Sequence, residues 1–575
     1  MSVRRNPRAA FAVDRSALLA SIATVLLALP TRVVAQSPAA YARDAPSAAR
    51  VDSVFAGFDR RDAPGCALAV LRAGTTVYTR GYGMADLEHD VPITAGTTFY
   101  LASVSKQFTA YSVILLARDG RLSLDDDVRK FIPEVPDFRS SYGRPITIRQ
   151  LLYHTSGLRD YFSVLALDGW PGDGPLTERD FLRLVSRQRT LNFAPGAQHL
   201  YSNTGYVLLA VLVKRASGSS LREFAAARIF KPLQMMSTVV RDDHTMLVRG
   251  RASAYVPSPT AGWRSSVPGF DVVGDGGIYS TVDDLARWDG NFNVPAAGDR
   301  EALALLHERG VLTSGDTITY AGGLSHGRFR GLRTVMHGGA YGGYRTSLIR
   351  FPEQRVSVAV LCNNGAANAG QLAERVAALY LASEMTPVDV PAVAPAAAIA
   401  VAPQPGRRAQ YAGLYWNEQS EAWLRITDSA GTLRLAGFGP PVELRRIDSV
   451  RFAAPARGLT LTPGDRRVFV RSGDAGPVAY DAVAPARLTA AALGELTGQY
   501  SSVEAEATVD VRVRNGRLEL SGRRIEPIPL EQLFGETFAG GRMVVRFVRE
   551  RGAIARLTVS NGRARGVSFQ RAESR

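Results

Sequence analysis

The sequence predicts an α+β domain followed by an all-β region. Between about residues 51 and 384, short apolar strand-like runs are interspersed with longer helical stretches. Residues 387–405 then hold Pro387, Pro391, Pro395, Pro403 and Pro405 among alanines and valines, which neither helix nor sheet accommodates. From about residue 408, apolar and polar residues alternate between turn signals, as strands do. A length of 575 residues is too great for one compact core, and 46% hydrophobic with 21% charged residues excludes a mainly disordered chain. The expected units are a signal peptide at 1–35, an α+β domain at 45–385, an Ala/Pro linker at 386–407, and β-repeats at 408–487 and 488–575.

The first unit reads as an export signal. Arg4, Arg5, Arg8 and Arg15 precede an apolar run at 17–29, and Val33, Val34 and Ala35 offer small residues for cleavage before Gln36. The run is short for a bilayer span, so a secreted or periplasmic product with no stable membrane anchor after cleavage is expected. The export route, general secretory or twin-arginine, is left open. In the α+β domain, residues 66–71, 346–351 and 356–362 read as strands, and 103–118, 204–216 and 282–289 as helices.

The all-β region repeats itself at an offset of 85 residues. Tyr411-Ala-Gly413-Leu-Tyr415 recurs as Leu496-Thr-Gly498-Gln-Tyr500, and the hairpin-like stretch at 424–435 recurs at 509–520. Asn515-Gly516 and Asn561-Gly562 are dipeptides that suit a type I′ turn, which needs positive φ at both central residues. Two small barrels of lipocalin-like type are expected, with one larger barrel as the alternative.

The formal net charge of +16 comes from 69 basic against 53 acidic residues and suggests nucleic acid. Only four of the basic residues are lysines (Lys106, Lys130, Lys214, Lys231), and the arginines are spread without a basic block or interleaved aromatics. The expectation is a solvated arginine surface and no nucleic-acid partner. Two cysteines cannot build a thiolate zinc site and the seven histidines are scattered, so no metal and no cofactor is expected.

Three clusters carry chemistry. Ser103 and Lys106 are three residues apart at the start of an apolar helical stretch, which puts them on one face beside free backbone N–H groups. In so arginine-rich a chain, a lysine at this position suggests a need for a cation that can give up its proton, as desolvated lysine does and arginine does not. Tyr201 and Asn203 precede a second helix, and a tyrosine beside a cationic lysine has its acidity increased. His337-Gly338-Gly339-Ala340 leads into a strand whose glycines admit another backbone or a ligand.

In this order the three clusters resemble the SxxK, YxN and KTG/HxG motifs of the serine β-lactamase and penicillin-binding-protein superfamily, and most closely its class C-like branch of D-aminopeptidases, DD-carboxypeptidases and family VIII-type esterases (peptidase family S12). The stretches Gly65 to Val70, Leu151 to Leu158 with its His154-Thr-Ser-Gly157, Phe230 to Leu233 and Gly276 to Leu285 are similar to that branch too. The resemblance covers roughly residues 50–385. It implies a β-lactamase-like fold, an antiparallel sheet flanked by helices plus a helical subdomain. It also implies Ser103 as the acyl-accepting nucleophile, with Lys106 holding its hydroxyl and lowering the pKa of Tyr201, the general base and later general acid. Asn203 would orient the substrate, Ser103 and Ala340 would supply the oxyanion-hole N–H groups, and His154 would support the wall of the site.

The third motif departs from Lys-Thr-Gly. His337 is largely neutral near pH 7 and Gly338 has no hydroxyl, so carboxylate recognition by this strand is not expected. That disfavours β-lactams and favours small peptide, amide or ester substrates. The expected activity is a secreted serine hydrolase of D-amino-acid peptidase type. The alternatives are a carboxylesterase, a β-lactamase, or a non-catalytic module for cell-wall fragments. The resemblance places Cys66 and Cys362 on neighbouring strands, where they either pair or remain separate buried thiols. Oligomeric state is left open.

Overall fold

Strand β1 (Cys66–Arg72) reads Cys-Ala-Leu-Ala-Val-Leu-Arg, an almost unbroken apolar run, and such a run belongs where both faces of a sheet are covered. The computed structural model puts it there. It describes residues 46–386 and 411–572, apart from 171, 173, 430, 438, 449–450, 456–457 and 473–475. The expected signal peptide and, but for Thr386, the linker lie outside the described residues.

With β2 (Thr75–Tyr82), β3 (Ser325–Phe329), β4 (Leu332–Tyr341), β5 (Tyr344–Phe351) and β6 (Val356–Cys362), β1 forms a six-stranded antiparallel sheet of order β3-β4-β5-β6-β1-β2. Alternation divides its side chains. Cys66, Leu68, Val70, Val356, Val358 and Val360 pack with α1 (Ala48–Phe55) and α5 (Ala369–Tyr380) on one face. Ala67, Ala69, Ala359 and Leu361 join a larger core on the other, with α2 (Lys106–Arg118), α3 (Asn203–Ser217) and α4 (Val282–Asn291). The small Ala67, Ala69 and Ala359 let α4, with its fully buried Trp288, lie close against β1 and β6. This is the expected β-lactamase-like fold, and the helix expected to begin at residue 103 starts as a 3₁₀ turn (Ala102–Ser105) running into α2.

In the β1–β6 register Cys66 lies directly opposite Cys362, and the two form a disulfide across 296 residues of sequence. The question left open between a pair and two thiols is thereby answered in favour of the pair.

The all-β region contains two related meanders. The second, from Gly498 to Arg571, closes into an eight-stranded barrel. In the first, from Gly413 to Val483, the first and last strands also pair, Leu414 facing Val483. Its ring is interrupted at one place: the fourth strand breaks at Leu444, so that Val442–Glu443 pairs backward with Thr432–Ala436 and Arg445–Arg446 pairs forward with Phe452–Ala454. The sequence repeat has a structural role in each, because Tyr415 Oη donates to Tyr411 O at 2.9 Å and Tyr500 Oη donates to Leu496 O at 2.9 Å. Asn515 and Gly516 have positive φ, as expected of their turn. Asn561 does not, because residues 561–566 form a longer loop, in which Asn561 Nδ2 donates to Ser163 O of the α+β unit.

That loop belongs to an extensive interface between the closed barrel and the α+β unit. Arg159, 1% exposed, forms an ion pair with Glu504 of the barrel at 3.1 Å. It also donates to Arg565 O from Nε at 3.0 Å and from Nη2 at 2.8 Å. The reading of the arginines as a solvated surface is therefore corrected for a few of them, most described arginines being exposed or half-buried. Arg159, Arg241 and Arg350 are buried, and several others bind carbonyls or carboxylates, because guanidinium supplies many donors with a weakly held hydration shell.

Thiol titration of the denatured, unreduced protein is expected to find no free thiol, and replacing both cysteines by serine to lower stability by about 2–4 kcal/mol in urea unfolding. Arg159→Met leaves the Glu504 carboxylate buried without its cation, at an expected cost of about 3–5 kcal/mol, whereas Glu504→Gln keeps an acceptor and costs less.

Candidate active site

The site is built where β4 meets the 3₁₀ turn. β4 pairs with β3 only as far as Met336, so its end, carrying Gly338, Gly339 and Ala340, has a free edge. A Cβ on Gly339 would lie 2.3 Å from Leu101 O, so glycine is needed for strand and turn to approach this closely. Thr346 of β5 fastens the contact, its Oγ1 donating to Leu101 O at 2.8 Å. Ala102 adopts φ +48, a left-handed conformation unusual for alanine, and directs the chain into the turn that presents Ser103.

Lys106, the first residue of α2, is fully buried. Its Nζ donates to Ser103 Oγ at 3.3 Å, Asn203 Oδ1 at 2.8 Å and Asp275 O at 2.7 Å. Burial lowers its pKa to about 8, against the opposing influence of Asp275 and Asp160. Asn203 is itself fixed by Asp160, whose Oδ2 accepts from both its backbone N at 2.7 Å and its Nδ2 at 2.8 Å. Asp160 thus orients the amide whose oxygen receives Lys106. Asp275 has a raised pKa of about 6, chiefly from burial, and its Oδ2 accepts from Tyr161 Oη at 3.0 Å.

Tyr201 lies beside this network, its ring centroid 4.9 Å from Lys106 Nζ. The expectation that Lys106 lowers its pKa is corrected. Burial pushes the phenol above its ordinary value, and the groups pulling it back are Ser103 and Arg563. Its Oη is buried and makes no hydrogen bond of standard geometry to any described residue. Arg563 comes from the 561–566 loop of the barrel, its guanidinium 4.8 Å from the Tyr201 ring centroid.

His337 is buried and neutral. Its Nδ1 donates to Gly338 O at 2.6 Å and its Nε2 accepts from Tyr320 Oη at 3.0 Å, while burial lowers its pKa to about 4. It is a wall residue rather than a cation. His154, 1% exposed, stacks 4.2 Å from Tyr201 and accepts from Ser202 N at 3.2 Å, a supporting position as expected.

The structure brings Ser103, Lys106, Tyr201, Asn203, His337, Gly338, Gly339 and Ala340 to one cavity of about 1100 Å³, with Lys106 lying beneath its floor. One side is aromatic: Phe162 stacks 6.1 Å from Trp170, and Phe270 meets Tyr341 edge-on at 4.9 Å. Sequence reasoning gave no role to Asp160, Asp275 or Arg563, and of the aromatic wall it saw only that the loop at 160–175 lines the pocket. Asp160 has the pattern of a helix cap, Asp275 lies in a Gly-Asp-Gly-Gly turn, and nothing local to Arg563 connects it with residues four hundred positions away.

The profile of the Beta-lactamase family matches residues 51–382. A D-aminopeptidase of Cereibacter sphaeroides is 28% identical over 461 residues, 79% of this chain and 82% of its own. One from Gluconobacter oxydans is 26% identical over 557 residues, 91% of this chain and 99% of its own. Among solved structures, the octameric penicillin-binding protein homologue from Pyrococcus abyssi is similar with a TM-score of 0.55 at 21% identity, over 83% of this chain and 99% of its own. The D-amino acid amidase from Ochrobactrum anthropi SV3 has a TM-score of 0.50 at 22% identity, over 58% and 99%. With the sheet, the nucleophile turn and the buried lysine in place, the chain belongs to the Beta-lactamase family and is a serine hydrolase.

Proposed function

We propose that the protein is an exported amide hydrolase that cleaves D-amino-acid peptides and amides through a Ser103 acyl-enzyme. The observation that carries the reading is the Ser103–Lys106 pair: a nucleophile open to the cavity, held by an amine whose burial brings its neutral form within reach of ordinary pH. The D-aminopeptidase relatives, aligned over most of both chains, support the substrate class. Residues 1–35 and the Cys66–Cys362 disulfide, a bond that persists in oxidising compartments, support export.

In the proposed reaction Ser103 Oγ attacks the scissile carbonyl carbon and its proton passes to neutral Lys106 Nζ. The developing oxyanion is received by the backbone N–H groups of Ser103 and Ala340 on the free edge of β4. Collapse breaks the C–N bond. The leaving nitrogen takes the Tyr201 hydroxyl proton, which Lys106 replaces, so tyrosine serves as a relay and not as a preformed phenolate. Water then opens the acyl-enzyme by the reverse proton route. Asn203 and Asp160 hold Lys106 in place throughout, and the Phe162–Trp170 wall accommodates an apolar or aromatic side chain.

A fluorophosphonate probe is expected to label the wild type and not Ser103→Ala, and D-amino-acid anilides to be hydrolysed faster than their L-isomers. Turnover that survives Ser103→Ala overturns the assignment. Because the lowered Lys106 pKa makes the amine neutral above about pH 8, kcat/KM is expected to rise through that pH and to fall about tenfold per unit below it. Lys106→Arg, which cannot deprotonate, is expected to lose about 10³-fold or more, and Tyr201→Phe to lower kcat about 10²-fold with little change in KM.

A further inference from the structure

The charges that the described residues bring to the cavity are one-sided. Among its described lining residues Asp275 is the only carboxylate, and a ligand cannot reach it, since it is 5% exposed, its Oδ2 is engaged by Tyr161 and its Oδ1 is fully buried. A substrate ammonium therefore finds no exposed counter-ion among these described residues. Two arginines line the same cavity. Arg345 is tethered, its Nη1 donating to Gly342 O at 2.8 Å and Tyr344 O at 2.7 Å.

Arg563 is different. Its backbone is fixed, with Arg563 O accepting from Asp160 N at 3.2 Å and Asn192 Nδ2 at 2.9 Å. Its side chain, 47% exposed, makes no hydrogen bond to any described residue and only a 4.0 Å contact with Asp160, whose nearer oxygen already receives two N–H groups from Asn203. A guanidinium anchored by its main chain, stacked over the tyrosine proposed to serve the leaving group, and holding unspent donors toward the cavity is a receptor for an anion. His337, at the position where a strand cation would otherwise stand, is neutral and cannot take that role.

We propose that Arg563 is a specificity-determining residue delivered by the barrel, and that it binds the free carboxylate of the leaving amino acid. The preferred substrate is then a short peptide acid rather than the corresponding amide. The inference rests on the amide-hydrolase reading for the nature of the scissile bond, and it deepens that reading by assigning the charge next to it. An α-carboxylate is two bonds from the leaving nitrogen, so one guanidinium over Tyr201 serves both the proton relay and the anion.

Binding separates this inference from the question of turnover. In the full-length Ser103→Ala protein, calorimetry with N-acetyl-D-phenylalanyl-D-alanine and its C-terminal amide is expected to show the acid bound about 10- to 100-fold more tightly, the range for a charge-assisted hydrogen bond. Adding Arg563→Gln is expected to bring the two ligands level. Arg563→Glu is expected to invert the preference, which a merely structural role would not do. Equal binding of acid and amide, no binding of either, a preference that survives Arg563→Gln, or one lost in Arg345→Gln instead overturns the proposal. Hydrolysis of the same peptide acid by the wild-type protein tests the amide-hydrolase reading separately, since binding can succeed where turnover fails.

Discussion

The site depends on keeping one ammonium group out of water. Lys106 is buried without a directly paired carboxylate and is held by a hydroxyl, an amide oxygen and a main-chain carbonyl. Those three acceptors satisfy its donors, but they do not replace the stabilisation that water gives a charge, so the neutral form becomes accessible. Asp160 and Asp275 limit the effect: close enough to keep the lysine from losing its proton altogether, their carboxylates bond to Asn203 and Tyr161 rather than to Lys106 itself. Much of the surrounding structure serves this balance. Gly339 lets the strand close over the turn, and the ring cluster of His154, Tyr201, Tyr206 and Tyr320 excludes water from one side.

The same desolvation shifts several titratable neighbours, and it separates their roles. His337, His199 and His154 all become poorer bases. Tyr201 becomes a weaker acid. Lysine alone is moved toward neutrality from above, because it is the one group among them whose ordinary pKa lies well above working pH in its charged form. In the proposed reaction a low-dielectric site thereby makes an amine the proton acceptor and leaves the phenol able to donate.

Local patterns revealed the parts of this design that are local. Ser103 and Lys106 share a helix face, Tyr201 and Asn203 precede α3, and the glycines of β4 mark a close approach, so each could be read from its own neighbourhood. The repeat at 85 residues was legible because each copy makes the same tyrosine-to-carbonyl bond. The direction of the Tyr201 shift was not legible, since it depends on burial by Tyr320, His154 and the barrel loop, all distant in sequence. Composition misled in one respect. An even spread of arginines resembles a solvated surface, yet Arg159, Arg350 and Arg563 owe their environments to tertiary contacts that no spacing reports.

The position of the 561–566 loop has a consequence for how the enzyme is made. The α+β unit has its own sheet, core and nucleophile by residue 386, but the cavity wall at Arg563 forms only after the second meander has closed and docked on Arg159. Contacts spanning some four hundred residues are slow to form, since loop closure precedes any gain from them. A chain folded only as far as residue 386 would hold the nucleophile in a cavity still open on one side. The final docking step, rather than folding of the catalytic core, sets when the substrate cavity acquires its finished shape.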